Sequence, residues 1–118
     1  MQDFRKLNIY TRAIEYCTDI YKFSTKLPIS EKYGLISQIR RAASSIPLNI
    51  SEGAGASSNK EFSLFINYAY RSANEVLTCL ELIKKLGLYN GKIGIGNLEI
   101  KGIELSRMIY KFLKKLDN

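Results

Sequence analysis

The sequence contains no histidine, and only two cysteines and two prolines among its 118 residues. Histidine is the commonest general base and metal ligand, so its absence removes the usual Ser–His and Cys–His nucleophile arrangements. Cys17 and Cys79 lie inside apolar helical patterns. We therefore expect both to be reduced cysteines that act as small core residues, in a reducing compartment. No residue pattern indicates a catalytic centre, a cofactor or a metal site. We therefore expect a protein that is not an enzyme.

Long apolar runs are also missing. No segment approaches the roughly 20 apolar residues that a membrane-spanning helix needs, and residues 1–5 lack the apolar core of a signal peptide. We therefore expect a cytoplasmic protein with no membrane partner. The length and the ordinary share of hydrophobic residues, 46%, predict a single globular domain that spans residues 1–118.

The charge is unbalanced towards the positive side. Eighteen Lys and Arg residues against 11 Asp and Glu residues give a net charge of +7. Such an excess favours a polyanionic partner such as RNA or DNA. A basic composition that serves only solubility, or a protein partner, is the alternative.

Apolar spacing and turn signals predict an all-α protein with four helices, at residues 4–26, 31–52, 60–86 and 97–116. Short connections between long helices favour antiparallel neighbours. The sequence therefore predicts an up-and-down antiparallel four-helix bundle.

Several residues are expected to set the helix boundaries. Asp3, Ser30 and Asn97 stand where N-cap residues would begin the first, second and last helices. Pro47 lies inside the second helix and removes one backbone hydrogen bond, so we expect a bend near residues 41–43 rather than a break.

The third helix carries the clearest periodicity. Ser58 and Glu61 have the spacing of a capping box. Steps of four and three then alternate without an error through the predicted buried seam, which consists of Phe62, Ile66, Ala69, Ala73, Val76, Leu80 and Ile83. The same alternation in the first helix predicts a stripe of Tyr10, Ile14, Cys17 and Tyr21, and the last helix shows one of Leu105, Ile109, Phe112 and Leu116.

Apolar residues of the third helix also lie far from its seam, at Leu64, Tyr68, Leu82 and Leu86. A surface helix of a monomer normally has a narrower apolar stripe. This excess predicts a second packed surface, and we favour self-association as its cause.

Two polar features are candidate sites. In the second helix, Arg41, Ser45, Asn49 and Glu52 fall on one line opposite the apolar stripe. Arg41 and Glu52 are three turns apart and cannot pair with each other, so each needs a partner on another helix, another subunit, a ligand or water. This line is interpreted as a structural or interface feature, with a solvated face as the alternative.

The last helix presents the candidate nucleic-acid site. Four cations within about 100° of arc form what we call the basic stripe, Arg107, Lys111, Lys114 and Lys115. Such a stripe can follow phosphates, and Tyr110 at its flank can stack on an unpaired base. The alternative is that these cations only offset the helix dipole and face solvent. Arg40 is a further candidate.

The sequence also resembles a known family. Residues 4–7, residues 13–15 and above all residues 37–53 carry the resemblance, and the last of these read SQIRRAASSIPLNISEG. This string is similar to that of the bacterial four helix bundle proteins, also called 23S ribosomal RNA intervening-sequence proteins.

The resemblance implies a four-helix bundle that assembles as a homopentamer. It also implies kinship with accessory proteins of diversity-generating retroelements, which bind nucleic acid and a reverse transcriptase. The leading hypothesis is therefore a non-enzymatic, oligomeric protein that binds nucleic acid, with RNA favoured, or that acts as a scaffold. The alternative is a protein–protein interaction module with no nucleic-acid role.

Overall fold

The computed structural model describes residues 3–117, without the side chain of Lys92. Its four α-helices are α1 (Asn8–Ser24), α2 (Leu35–Ala54), α3 (Asn59–Lys85) and α4 (Lys92–Asp117). Each packs against the next along the chain, and α1 also packs against α4, which closes a bundle of 44 × 24 × 20 Å. The predicted all-α four-helix bundle is confirmed.

The longest helix, α3, agrees closely with its prediction. The Ser58 hydroxyl accepts a hydrogen bond from the Glu61 amide at 3.1 Å and caps the helix. All seven residues of the predicted seam are buried: Phe62, Ile66, Ala69, Ala73, Val76, Leu80 and Ile83. Because α3 contacts both α2 and α4, this seam supplies much of the core.

The beginning of α1 differs from the prediction. Asp3 does act as a cap, but of a short 3-10 turn over Phe4–Lys6, where its carboxylate accepts from the Arg5 amide at 3.1 Å. Leu7 is then extended, and the α-helix begins only at Asn8. The predicted start at residue 4 is therefore wrong.

The buried stripe of α1 is displaced by one residue from the predicted one. Ile14 and Tyr21 are 42% and 41% exposed, and Tyr10 and Cys17 are half-buried. The core receives instead Ile9, Ala13, Tyr16, Ile20 and Phe23. Both stripes have steps of four and three residues. The stripe that faces the neighbouring helices is the one that contains the small residue Ala13.

The second helix begins later than expected. Ile29–Glu31 forms a 3-10 turn, and the Glu31 carboxylate accepts from the Leu35 amide at 3.1 Å. Glu31 therefore supplies the side-chain hydrogen bond that was predicted for Ser30. The helix runs unbroken through Pro47 to Ala54.

The last helix begins earlier than expected. It starts at Lys92, so Asn97 lies inside it and is not its cap. Ile95 and Leu98 are buried and hold this first part of α4 against the bundle, which offsets the low helix propensity of the glycines nearby. Leu105 and Ile109 are buried as predicted, and Phe112 and Leu116 are half-buried.

Cys79 makes stability sensitive to alkaline pH. Burial raises the pKa of its thiol from the ordinary 9.0 to about 11, and the Glu75 carboxylate adds to the rise. Between those values the unfolded chain releases a proton that the folded chain keeps, so stability falls as pH increases. We expect this thiol to contribute a loss of about 1.4 kcal/mol per pH unit in that window.

Urea unfolding at pH 8 and pH 10.5 measures this effect when the parent is compared with a Cys79→Ala variant. The variant should start less stable, because it leaves a small cavity, and should lose less stability at the higher pH. An equal loss in both proteins would show that Cys79 does not titrate in this way.

Candidate nucleic-acid interface

The basic stripe lies on the outer surface of α4. Arg107, Lys111, Lys114 and Lys115 are all exposed. Arg107, Lys111 and Lys114 share one line because they are separated by four and three residues. Leu105 and Ile109 point into the core on the opposite side and fix this orientation.

Within α4, the carboxylates nearest to the stripe lie at its two ends, at Glu104 and Asp117. Residues 105–116 contain no Asp or Glu, and Asp117 accepts a hydrogen bond from the Ser63 hydroxyl at 3.2 Å. Within the described part of the chain, none of the four cations forms an ion pair, whereas Lys84 and Lys101 do. The positive charge of the stripe is therefore available to a ligand.

An aromatic pair borders the stripe. The ring of Tyr110 lies 5.5 Å from that of Tyr70 on α3, with an angle of 47° between the planes. The Lys114 ammonium lies 5.1 Å from the centroid of the Tyr110 ring, within the range of a cation–π contact. Tyr110 is 43% exposed. Cations and an accessible aromatic face therefore occur together.

A depression between α3 and α4 lies beside this pair. It has a volume of about 310 Å³ and is lined by Tyr70, Ser106, Arg107, Tyr110 and Lys111. Ser106 donates a hydrogen bond to the Asn74 side-chain oxygen at 3.3 Å and so links the two helices. The volume falls at the lower end of the range for small-molecule clefts.

Arg40 is not part of this surface. Its Nε donates to the Ser24 hydroxyl at 2.7 Å, and its guanidinium lies 5.1 Å from the centroid of the Tyr21 ring. These contacts join α2 to α1, whereas the basic stripe flanks α3. Arg40 therefore lies apart from the other four candidates, and its side chain links α2 to α1.

The polar line of α2 divides into two parts. Ser45 accepts hydrogen bonds from Asn49 at 2.9 Å and from Ser72 of α3 at 2.9 Å, so this half joins two helices. Arg41 and Glu52 are exposed, and Arg41 donates to Ser37 of its own helix at 3.2 Å. A partner for Arg41 or Glu52 on another subunit stays a prediction.

The described residues contain neither a cluster of metal-ligating side chains nor a helix that could cross a membrane. Among residues 3–117, no three His, Cys, Asp or Glu side chains cluster so that they could hold a metal ion. No helix in this part of the chain combines the length and the apolar character needed to cross a bilayer.

Sequence reasoning did not find the contact between Tyr70 and Tyr110. The spacing placed Tyr70 next to the seam residue Ala69 but gave no indication that it meets Tyr110. Only the alignment of α3 against α4 shows this: Tyr70 faces Tyr110, and one turn further along α3 Asn74 meets Ser106. Because α3 and α4 are antiparallel, either of these two contacts fixes the register between the helices and so predicts the other contact.

The fold is shared with a solved structure. A protein with unknown function from the S23 ribosomal protein family of Bacteroides thetaiotaomicron VPI-5482 is 23% identical, with a TM-score of 0.82. The match covers 90% of this chain and 98% of that one, and at this identity it establishes the fold alone. No curated protein matches this chain. The profile of the 23S rRNA-intervening sequence proteins matches residues 5–114, and this chain therefore belongs to that family.

Proposed function

We propose that this chain is a non-enzymatic RNA-binding protein that contacts phosphates through the basic stripe. The observation that carries the proposal is the line of Arg107, Lys111 and Lys114, exposed and without ion-pair partners among the described residues. Lys and Arg side chains that neutralise phosphates release bound counterions, which drives binding without sequence preference. The family is named after an intervening sequence of 23S rRNA, so RNA is the first nucleic acid to test. The cytoplasm is the proposed place of action.

Self-association belongs to the same proposal. Leu64, Tyr68, Leu82 and Leu86 are exposed on one side of α3 and its C-cap, in two apolar patches with Arg71 and Glu75 between them. We call these four residues the α3 face. Such a face supports packing against another copy of the chain. An oligomer repeats the stripe once per subunit, so weak contacts with a long polyanion add through avidity. The pentamer is the number that the family resemblance implies.

A Lys111→Gln/Lys114→Gln double variant tests the site. Both side chains are exposed, so folding and assembly should be unchanged. At about 0.1 M salt we expect the affinity for RNA to fall about tenfold or more, equally for unrelated sequences, because two phosphate contacts are lost. Fluorescence anisotropy with labelled RNA measures the effect.

The matched control is Lys22→Gln/Lys26→Gln, which removes the same charge from exposed positions at the other end of the sequence. It should bind nearly as well as the parent. If both double variants lose affinity equally, net charge and not the stripe determines binding. If the parent does not bind RNA at low ionic strength, the alternative of a protein–protein interaction module is favoured. The exposed α3 face supports that alternative. A reverse transcriptase is then the first partner to test.

A further inference from the structure

We propose that Tyr110, supported by Tyr70, is a stacking platform for an unpaired base, so that the site prefers single-stranded nucleic acid to a duplex. This inference rests on the proposed function and adds the class of ligand. Its basis is the position of the two rings beside the basic stripe and over the depression between α3 and α4.

The two rings have different surroundings. Tyr70 is half-buried and packs against the core, so its position is fixed by the bundle. The centroid of the Tyr110 ring lies 5.5 Å from that of the Tyr70 ring, and Tyr110 is 43% exposed. An aromatic ring that is held by a neighbouring ring and otherwise contacted by one exposed lysine side chain can offer a flat apolar face, and every nucleobase has a matching face.

Lys114 covers the face of Tyr110 in the unbound protein. Its ammonium lies 5.1 Å from the ring centroid, which is a weak attraction at an exposed site. A base that stacks on the ring takes this place. The long side chain can then turn its ammonium towards the phosphate of the same nucleotide, so Lys114 keeps an electrostatic partner.

The depression provides room and polar groups beside the ring. Arg107 and Lys111 line it with cations, and Ser106 lies in it close to the Asn74 side chain. Cations on the rim suit the phosphates that flank a bound base. The occupant that fits both the positive rim and the aromatic wall is therefore a nucleotide of a single strand.

The preference for single strands follows from what each ligand can offer. A duplex presents phosphates, but its bases are already stacked and paired, so their faces are hidden. A single strand presents both phosphates and free base faces. The cations therefore contribute to both ligands, whereas Tyr110 contributes only to the single strand.

A Tyr110→Leu variant tests this division. We expect its affinity for a short oligouridylate to fall by about 5- to 100-fold, while its affinity for an RNA duplex and for inorganic polyphosphate changes little. Tyr110→Phe keeps the ring and should bind like the parent. Tyr33→Leu removes an exposed tyrosine from the turn before α2 and should have no effect.

A second measurement uses the absence of tryptophan from the sequence. A Tyr110→Trp variant has a single indole, at the proposed platform. Oligouridylate should quench its fluorescence strongly through stacking, whereas polyphosphate, which has the charge but no bases, should cause at most the small change that follows from the movement of Lys114. The same probe with oligothymidylate shows whether single-stranded DNA is accepted as well.

The outcomes separate the two proposals. If Lys111→Gln/Lys114→Gln weakens binding but Tyr110→Leu does not, and oligouridylate fails to quench the indole, the platform is wrong and the phosphate site stands. If the parent binds neither oligouridylate nor polyphosphate at low salt, both proposals are overturned. Loss of oligouridylate affinity alone in Tyr110→Leu, with quenching in Tyr110→Trp, supports the platform.

Discussion

We expect a Gly53→Ala variant to unfold about 5–15 °C below the parent, because overpacking costs about 1–3 kcal/mol. Gly53 lies near the end of α2, where that helix closely approaches α3. A Cβ atom there would lie 2.9 Å from Cδ1 of Phe62 and 2.9 Å from Cβ of Phe65. The Phe62 ring is buried and the Phe65 Cβ is fixed by the backbone of α3, so neither atom can withdraw unless the helices separate.

Gly96→Ala is the matched control. Gly96 also lies in a helix, but apart from its chain neighbours and the adjacent helix backbone no atom lies within 4 Å of its added Cβ. There alanine should stabilise the protein by about 0.5–1 kcal/mol, because it restricts the unfolded chain and favours the helix. Thermal unfolding followed by circular dichroism should therefore give shifts of opposite sign. Equal shifts in the two variants would show that the close approach of α2 to α3 at Gly53 is unimportant.

The second large effect concerns assembly through the α3 face. We expect the parent to have about five times the chain mass of 13.4 kDa in light scattering, and a Leu64→Glu/Leu82→Glu variant to have the mass of one chain. Leu64 and Leu82 are 47% and 45% exposed, so glutamates can face water in the single chain. At a packed interface the same carboxylates would be buried without partners, which costs several kcal/mol per charge.

Ile29→Glu is the control for this experiment. Ile29 is strongly exposed on the turn between α1 and α2 and is not part of the α3 face, so its replacement should leave the mass unchanged. A parent that stays monomeric at every concentration contradicts self-association. An oligomer that survives the double substitution places its interface elsewhere, with Arg41 and Glu52 of α2 as the next positions to test.

The fold was largely predictable because one helix is unambiguous. In α3 the steps of four and three never fail, and a single apolar seam fixes which side faces the core. In α1 two stripes with the same steps lie one residue apart, at Ile9 and Ala13 or at Tyr10 and Ile14. Periodicity alone cannot choose between them, and only packing against α2 and α4 does.

Helix starts were predicted less well because tertiary contacts override local signals. Gly94 and Gly96 suggest a loop, yet burial of Ile95 and Leu98 extends α4 back to Lys92. The candidate site shows the same division. The exposure of the basic stripe followed from the spacing within α4, whereas the contact of Tyr110 with Tyr70 depends on the register between two helices, which the sequence pattern does not specify.

The salt dependence of RNA binding tests the central claim most directly. A plot of the logarithm of affinity against that of salt concentration should be a falling line, with about 0.7 to 0.9 of slope for each phosphate neutralised. For Lys111→Gln/Lys114→Gln the slope should be shallower by about 1.4 to 1.8 for each engaged subunit. An affinity that is independent of salt, or an equal slope in the parent and the folded double variant, would contradict phosphate binding by the basic stripe.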